Sequence, residues 1–235
     1  MNNLSFYIIF HKKLYPKNVP GLPCFIYLGA NEYIKKEIDT SILHHRLKFE
    51  YDCLGYNPIY QMLKFQDNSV ILNYPAPPTP FVGFSQYDMI IDKDKFILAQ
   101  SYLKDNIMVG FFPYSIQVTM DILQESQWNQ VLEIYNQNNN TTHTVQDIST
   151  QPFFLMNTYI LPSWFFTRLQ LNLRKLLPTI FRALNYNMRH IAGTLERANS
   201  FIIACGIKEG IIEYIISDAI SDDRSLTLHD ELLHS

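Results

Sequence analysis

Apolar residues in this chain fall into short unbroken runs separated by stretches with helical spacing. Residues 4–10 (LSFYIIF) form such a run and end at His11-Lys12-Lys13, which predicts a buried strand delivering a basic loop. A Pro/Gly loop over 16–23 leads to a second predicted strand at 24–28 (CFIYL). Residues 50–66 read as a helix broken or started near Pro58, with Ile59, Met62 and Leu63 on one face. A short strand is expected over 69–73. The run Pro75-Ala76-Pro77-Pro78-Thr79-Pro80 is a stiff extended loop, unfit for helix or central strand. Two apolar runs follow, 81–84 and 89–91, with Ser85-Gln86-Tyr87-Asp88 between them.

The second half repeats the alternation. A helix is expected over 96–103 and a strand over 107–112. Residues 120–135 predict an amphipathic helix with Ile122, Trp128, Leu132 and Ile134 broadly on one side. The polar tract 136–142 predicts a surface loop. Residues 153–161 (FFLMNTYIL) predict a buried strand interrupted by Asn157. Pro162 opens a helix striped by Phe165, Leu169, Leu173, Leu176 and Leu177, which Pro178 is expected to kink or end. A further helix over 191–204, a strand over 211–216 and a polar tail over 221–235 complete the reading. Strands alternating with helices predict an α/β fold, a sheet flanked by helices. Its length suits one large domain, or a domain with a small appendage.

Composition narrows the function classes. Charged residues are 17% and the net charge is -3, so the basic surface of a nucleic-acid binder is absent. The chain holds 15 Tyr and 16 Phe, which serve a core or a site that stacks on bases and sugar rings. Cys24, Cys53 and Cys205 have no metal spacing and read as free thiols in a reducing compartment. The start lacks the pattern of a signal peptide, and no apolar run has the length of a transmembrane span, which predicts a cytoplasmic protein. Neither common phosphate-loop fingerprint occurs, nor does a G-x-S-x-G elbow.

Four places carry candidate chemistry. Asp88 stands between two apolar runs, either as a structural side chain at a strand end or as a hard oxygen ligand for a divalent cation. His11, Lys12 and Lys13 follow the first strand, either as a solvated loop or as a contact to phosphate. Glu196 and Arg197 interrupt an apolar helix, so they either pair internally or Glu196 faces a cleft as an acid/base group. His229 and His234 in the tail are either exposed or able to complete a metal site begun by Asp88.

Five short motifs in order resemble a known family over about residues 5–205. "YIIFHKKLYP" resembles the strand and His-Lys opening of glycosyltransferase-like domains from bacterial capsular-polysaccharide loci. "GYNPIYQMLKF", with Tyr60 and Lys64, is similar to their helix carrying a Tyr and a Lys. "VGFSQYDM" falls where they have Gly-x-x-His-Tyr-Arg. "FLMNTYILPSWFF" is similar to their Asn-Met-Phe-Ile segment, and "RHIAGTLERANSFIIA" to their Gly-x-Leu-x-Glu-Arg helix. Gln86 and Asp88 replace the bacterial His and Arg. An Asp here resembles instead the capsid-glycan glycosyltransferases of chloroviruses, large DNA viruses of algae.

The resemblance implies a GT-A-like (Rossmann-like) α/β fold with a mixed central sheet flanked by helices. Residues 1–115 would form a nucleotide-sugar-binding half, 116–220 an acceptor half, and 221–235 a tail. It implies a metal-dependent transfer of a sugar from a nucleotide diphosphate sugar, UDP-linked, to a glycan acceptor, in the host cytoplasm if the chain is viral. Asp88 would take the place of the metal carboxylate, with Mn²⁺ or Mg²⁺ as the ion and His229 or His234 as a further ligand. Gln86 stands where the motif's first Asp is absent. His11, Lys12, Tyr60, Ser85, Gln86, Tyr87 and Arg197 would line the donor site. Asn157 would hold sugar hydroxyls, and Glu196 would act as general base in an inverting reaction. The rival readings are a non-catalytic nucleotide- or glycan-binding module of the same fold and a nucleotidyltransferase; the missing Gly-rich loop argues against the latter.

Overall fold

A computed structural model describes residues 3–10, 21–29, 47–49, 71, 79–86, 88–116, 125–184 and 188–222. Its centre is a seven-stranded sheet. Three strands come from the first half of the sequence pattern as expected: β1 (Leu4–Phe10), β2 (Phe25–Gly29) and β4 (Phe81–Gln86). Beside them lie β3 (Leu47–Phe49), β6 (Ile107–Gly110), β9 (Tyr159–Pro162) and β10 (Glu213–Ile216). The order is β10-β6-β9-β4-β1-β2-β3, with β9 antiparallel to both neighbours and every other pairing parallel. Two ribbons complete the strands. In one, β5 (Met89–Ile91) pairs with β11 (Ile220–Asp222); in the other, β7 (Pro113–Tyr114) pairs with β8 (Phe153–Phe154).

The unbroken apolar runs follow from burial on both faces. Along β1, Leu4, Phe6 and Ile8 enter one core, while Tyr7 and Ile9 enter the other. The first core lies under helix α1 (Lys93–Ser101) and the β5–β11 ribbon. There the Phe6 ring packs edge-on against Phe25 and Phe96, at centroid distances of 5.1 and 4.8 Å. Gly83 makes room for it, since a Cβ at that position would collide with the Phe6 ring and stand 2.9 Å from Ile160. Asp92 caps α1, accepting from the backbone N–H groups of Asp94 and Lys95 at 3.1 Å each.

The second core lies under α2 (Glu125–Asn139), α4 (Ser163–Ala183) and α5 (Met188–Lys208), with the single turn α3 (Val145–Ile148) beside them. All five predicted stripe residues of α4 are buried. A half-buried carboxylate joins the three long helices. Glu209, just past α5, accepts from Tyr135 of α2 at 2.7 Å and Arg168 of α4 at 2.9 Å, and stands 3.2 Å from His143. Pairing with Arg168 makes that half-buried charge tolerable.

Several expected boundaries move. Pro178 does not end α4; the helix continues to Ala183, because Ile180 and Phe181 bury their side chains beyond it. That burial outweighs the ~3 kcal/mol a helical proline costs. The polar tract after Tyr135 stays helical to Asn139, and Asn140 ends it in the left-handed region at φ 54°. Ile71 is helical rather than extended. The apolar segment 153–161 is two strands in different sheets, separated by a turn around Asn157.

Candidate functional site

Strand order supplies the first pointer. From β1 the chain proceeds to β2 and β3 on one side, and β4 then joins β1 on the other. In open α/β sheets ligands settle outside the carboxyl ends of the strands where the order reverses in this way. The register sets Ile9 beside Gln86, so β1 and β4 finish together at that crevice.

Asp88 sits in the link from β4 to β5 and is half-exposed. The alternation of apolar and polar residues accounts for its place. Phe81 to Phe84 fill the sheet, and Met89 and Ile91 return to the core as part of a separate ribbon. The polar residues between them therefore mark the point where the chain leaves the sheet edge. Ser85 is fully buried and donates its hydroxyl to the Gln86 carbonyl at 3.2 Å. Gln86 is half-exposed. The ribbon register sets Asp222 opposite Met89, the residue after Asp88.

The other wall of the edge is the turn before β9. Phe84 lies opposite Tyr159, which brings that turn to the same end of the sheet as Asp88. Thr158 N–H donates to the Leu155 carbonyl at 3.4 Å across it, and its two central residues, Met156 and Asn157, have φ of 61° and 47°. The left-handed region costs an L-residue about 1–2 kcal/mol, more easily met by Asn than by Met. Helix α5 supplies the restraint. Glu196, Asn199 and Ser200 occur at i, i+3 and i+4, so they share one face of the helix. Glu196 Oε1 accepts from Met156 N–H at 2.8 Å. Asn199 Nδ2 donates to Asn157 Oδ1 at 2.9 Å, and the Ser200 hydroxyl donates to the Phe154 carbonyl. Burial, and then the nearby Glu196 charge, push the Tyr159 phenol well above its usual range. Arg197 donates to the Gly193 carbonyl of its own helix at 3.0 Å.

The fold thus brings Ser85, Gln86, Asp88, Asn157 and Glu196 to one end of the sheet, with Arg197 next to Glu196 in sequence. Gln86, Asp88, Glu196 and Arg197 are half-buried. Ser85 and Asn157, at 0% and 1% exposure, bond to the protein around them. His11, Lys12, Tyr60, Tyr87, His229 and His234 lie outside the described residues. Among the described residues no group of three or more His, Cys, Asp or Glu is placed to hold a metal ion. Asn199, Ser200 and Asp222 were not singled out from sequence. The signal for the first two was their polar spacing from Glu196 on an otherwise apolar helix; Asp222 had no local signal, because only strand pairing sets it opposite Met89.

No protein-family model matches the sequence, and no curated protein is significantly similar to it. Among solved structures, the chain resembles the apo structure of the bifunctional glycosyltransferase WbbM, with a TM-score of 0.58 at 11% identity over 95% of this chain and 46% of that one. The chain therefore spans about half the length of WbbM. Mouse xyloside xylosyltransferase 1 matches with a TM-score of 0.43 at 9% identity over 91% of this chain and 84% of that one. The mannosyltransferase Ktr4p of S. cerevisiae matches with a TM-score of 0.44 at 12% identity over 90% of this chain and 68% of that one. The mixed sheet flanked by helices is thus a fold shared with a glycosyltransferase.

Proposed function

We propose that this chain is a glycosyltransferase that moves a sugar from a nucleotide diphosphate sugar, UDP-linked, to a glycan hydroxyl with inversion. The observation that carries the reading is the reversal of strand order at β1 and β4, with Asp88 just past β4 on one side and Glu196 bonded to the Met156–Asn157 turn on the other. The fold shared with WbbM supports it.

Residues 1–115 would serve the donor and 116–220 the acceptor. Asp88 offers hard carboxylate oxygen at the crevice, the donor chemistry that suits Mn²⁺ or Mg²⁺. Such an ion, when bound, neutralises charge developing on a departing diphosphate. One carboxylate is a small protein share, so diphosphate oxygens, water or the tail residues His229 and His234 would complete the shell. Gln86, in place of a second carboxylate, offers a neutral amide to the same diphosphate. His11 and Lys12, which follow β1 in sequence, would add positive charge, and Tyr60 would border the base.

Glu196 would take the proton from the attacking hydroxyl. Met156 N–H donates to Glu196 Oε1, which ties the carboxylate to the turn beside which the acceptor would lie. As the hydroxyl oxygen forms its bond to the anomeric carbon, the bond to the diphosphate breaks on the opposite face.

Gln86 at the motif's first position favours one second reading, a module that binds the nucleotide or glycan without turning it over. A panel of nucleotide sugars with Mn²⁺, followed by release of free nucleotide, separates the two. Transfer or slow hydrolysis of one donor, abolished in Asp88→Asn, is the expected result. Full Mn²⁺-dependent turnover by Asp88→Asn would remove the metal role, and binding of UDP with no turnover would favour the module.

A further inference from the structure

We infer that Asn199 is a positioning residue for Glu196, acting through the Met156–Asn157 turn; this rests on the reading of Glu196 as the base. Glu196 Oε1 accepts from the backbone N–H of Met156 at 2.8 Å, a bond that helps orient the carboxylate. The direction of that N–H depends on two successive residues in the left-handed region, one of them a Met that does not favour it. No glycine supplies the conformation, so side chains must. Asn199 is fully buried, and its Nδ2 holds Asn157 Oδ1 at 2.9 Å. Asn157 is 1% exposed, so this bond is shielded from water, where its strength is greatest. The Ser200 hydroxyl fixes the residue before the turn through the Phe154 carbonyl.

The three helix residues therefore form a closed frame. Glu196 and Asn199 stand one turn apart on α5 and grip adjacent residues of the same turn. If Asn199 releases Asn157, Asn157 relaxes toward an ordinary φ, the turn shifts, and the carboxylate loses the Met156 N–H bond that helps orient it. The fold needs β9 in the sheet with or without this bond, since Tyr159, Ile160 and Leu161 are fully buried. The frame thus bears on aim more than on folding. Asn199 touches no substrate in this scheme, and its effect appears in turnover rather than in binding.

The test uses Asn199→Ala and the isosteric Asn199→Asp, with hydrogen exchange at the Met156 amide and steady-state kinetics on the donor found active. Met156 exchange is expected to accelerate by about tenfold or more, reporting local opening. The kcat should fall by about 10- to 100-fold with KM within about threefold, the pattern of a misaimed group. In an Asn157→Gly background, where glycine adopts the left-handed region unaided, Asn199→Ala should cause little further loss of kcat. Unchanged Met156 exchange in a folded variant overturns the inference whatever the activity. So does a loss confined to KM, or full additivity with Asn157→Gly. Should Asn199→Ala not fold, Asn199→Asp and Asn157→Gly carry the same comparison. Faster Met156 exchange in a protein whose wild type turns over no donor would uphold the frame while removing the glycosyl-transfer reading.

Discussion

Glu196 serves two masters in this structure, and two substitutions pull them apart. Its Oε1 satisfies the Met156 N–H at 2.8 Å, a structural bond at a turn with two left-handed residues. Its carboxylate is also the proposed base. Glu196→Gln keeps an oxygen that accepts from Met156 but removes the carboxylate. Glu196→Ala removes both. A hydrogen bond to a charged group contributes about 1.5–3 kcal/mol, and a neutral one about 0.5–1.5 kcal/mol. Glu196→Gln should therefore lose about 1 kcal/mol and Glu196→Ala about 1.5–3 kcal/mol. For a chain of this length each kcal/mol is worth about 2–4 °C in Tm, so the expected drops are about 2–4 °C and 3–12 °C. Both are measured by thermal unfolding. Turnover should fall in both by about 10²- to 10⁴-fold, because the base is gone in each. Turnover by Glu196→Gln within about threefold of the parent would refute the base and leave Glu196 as a brace for the turn. An unchanged Tm in Glu196→Ala would refute the structural half.

Two further predictions follow from buried groups. The Tyr159 hydroxyl is fully buried and has no hydrogen-bond partner among the described residues, so Tyr159→Phe should leave Tm unchanged or raise it, by up to about 3 kcal/mol of stability; a clear drop would reveal a partner for the phenol. Burial pushes the Cys24 thiol up to about 11, and burial, followed by the Glu209 charge, pushes Cys205 still higher. A raised thiol pKa leaves about one thiolate in a thousand or fewer at pH 8, so iodoacetamide should spare both in the folded chain and label both in denaturant. Peptide mass spectrometry reads the outcome, and native labelling of either would contradict their burial.

Much of this fold was legible because its central strands are buried on both faces, which writes them as unbroken apolar runs. β1 is the clearest case, matching LSFYIIF from end to end. The stripe of α4 was equally plain, since helical burial repeats every three to four residues. Boundaries failed where local propensity and tertiary burial disagree. Pro178 and the Asn-rich end of α2 both look like stops in isolation, yet burial of Ile180 and Phe181 carries α4 past the proline, and at the end of α2 Asn139 donates to Asn172 of α4 at 2.8 Å.

The site divides in the same way. That Asp88 and Glu196 are misplaced charges could be read locally, because carboxylates inside apolar stretches need a reason. What the reason is depends on strand order and register. Neighbours in space are chosen by pairing across the sheet, and no short window of sequence contains that information. Only the folded sheet sets β4 against β1 at the reversal, Tyr159 against Phe84, and Asp222 against Met89. Only it shows that Asn157 faces inward to Asn199, so that a residue which resembles a sugar contact in sequence bonds within the turn whose Met156 N–H donates to Glu196. The sequence by itself singled out the candidate side chains and most of the strands and helices. The tertiary structure decided which of those side chains meet, because long-range pairing positions them and local pattern does not.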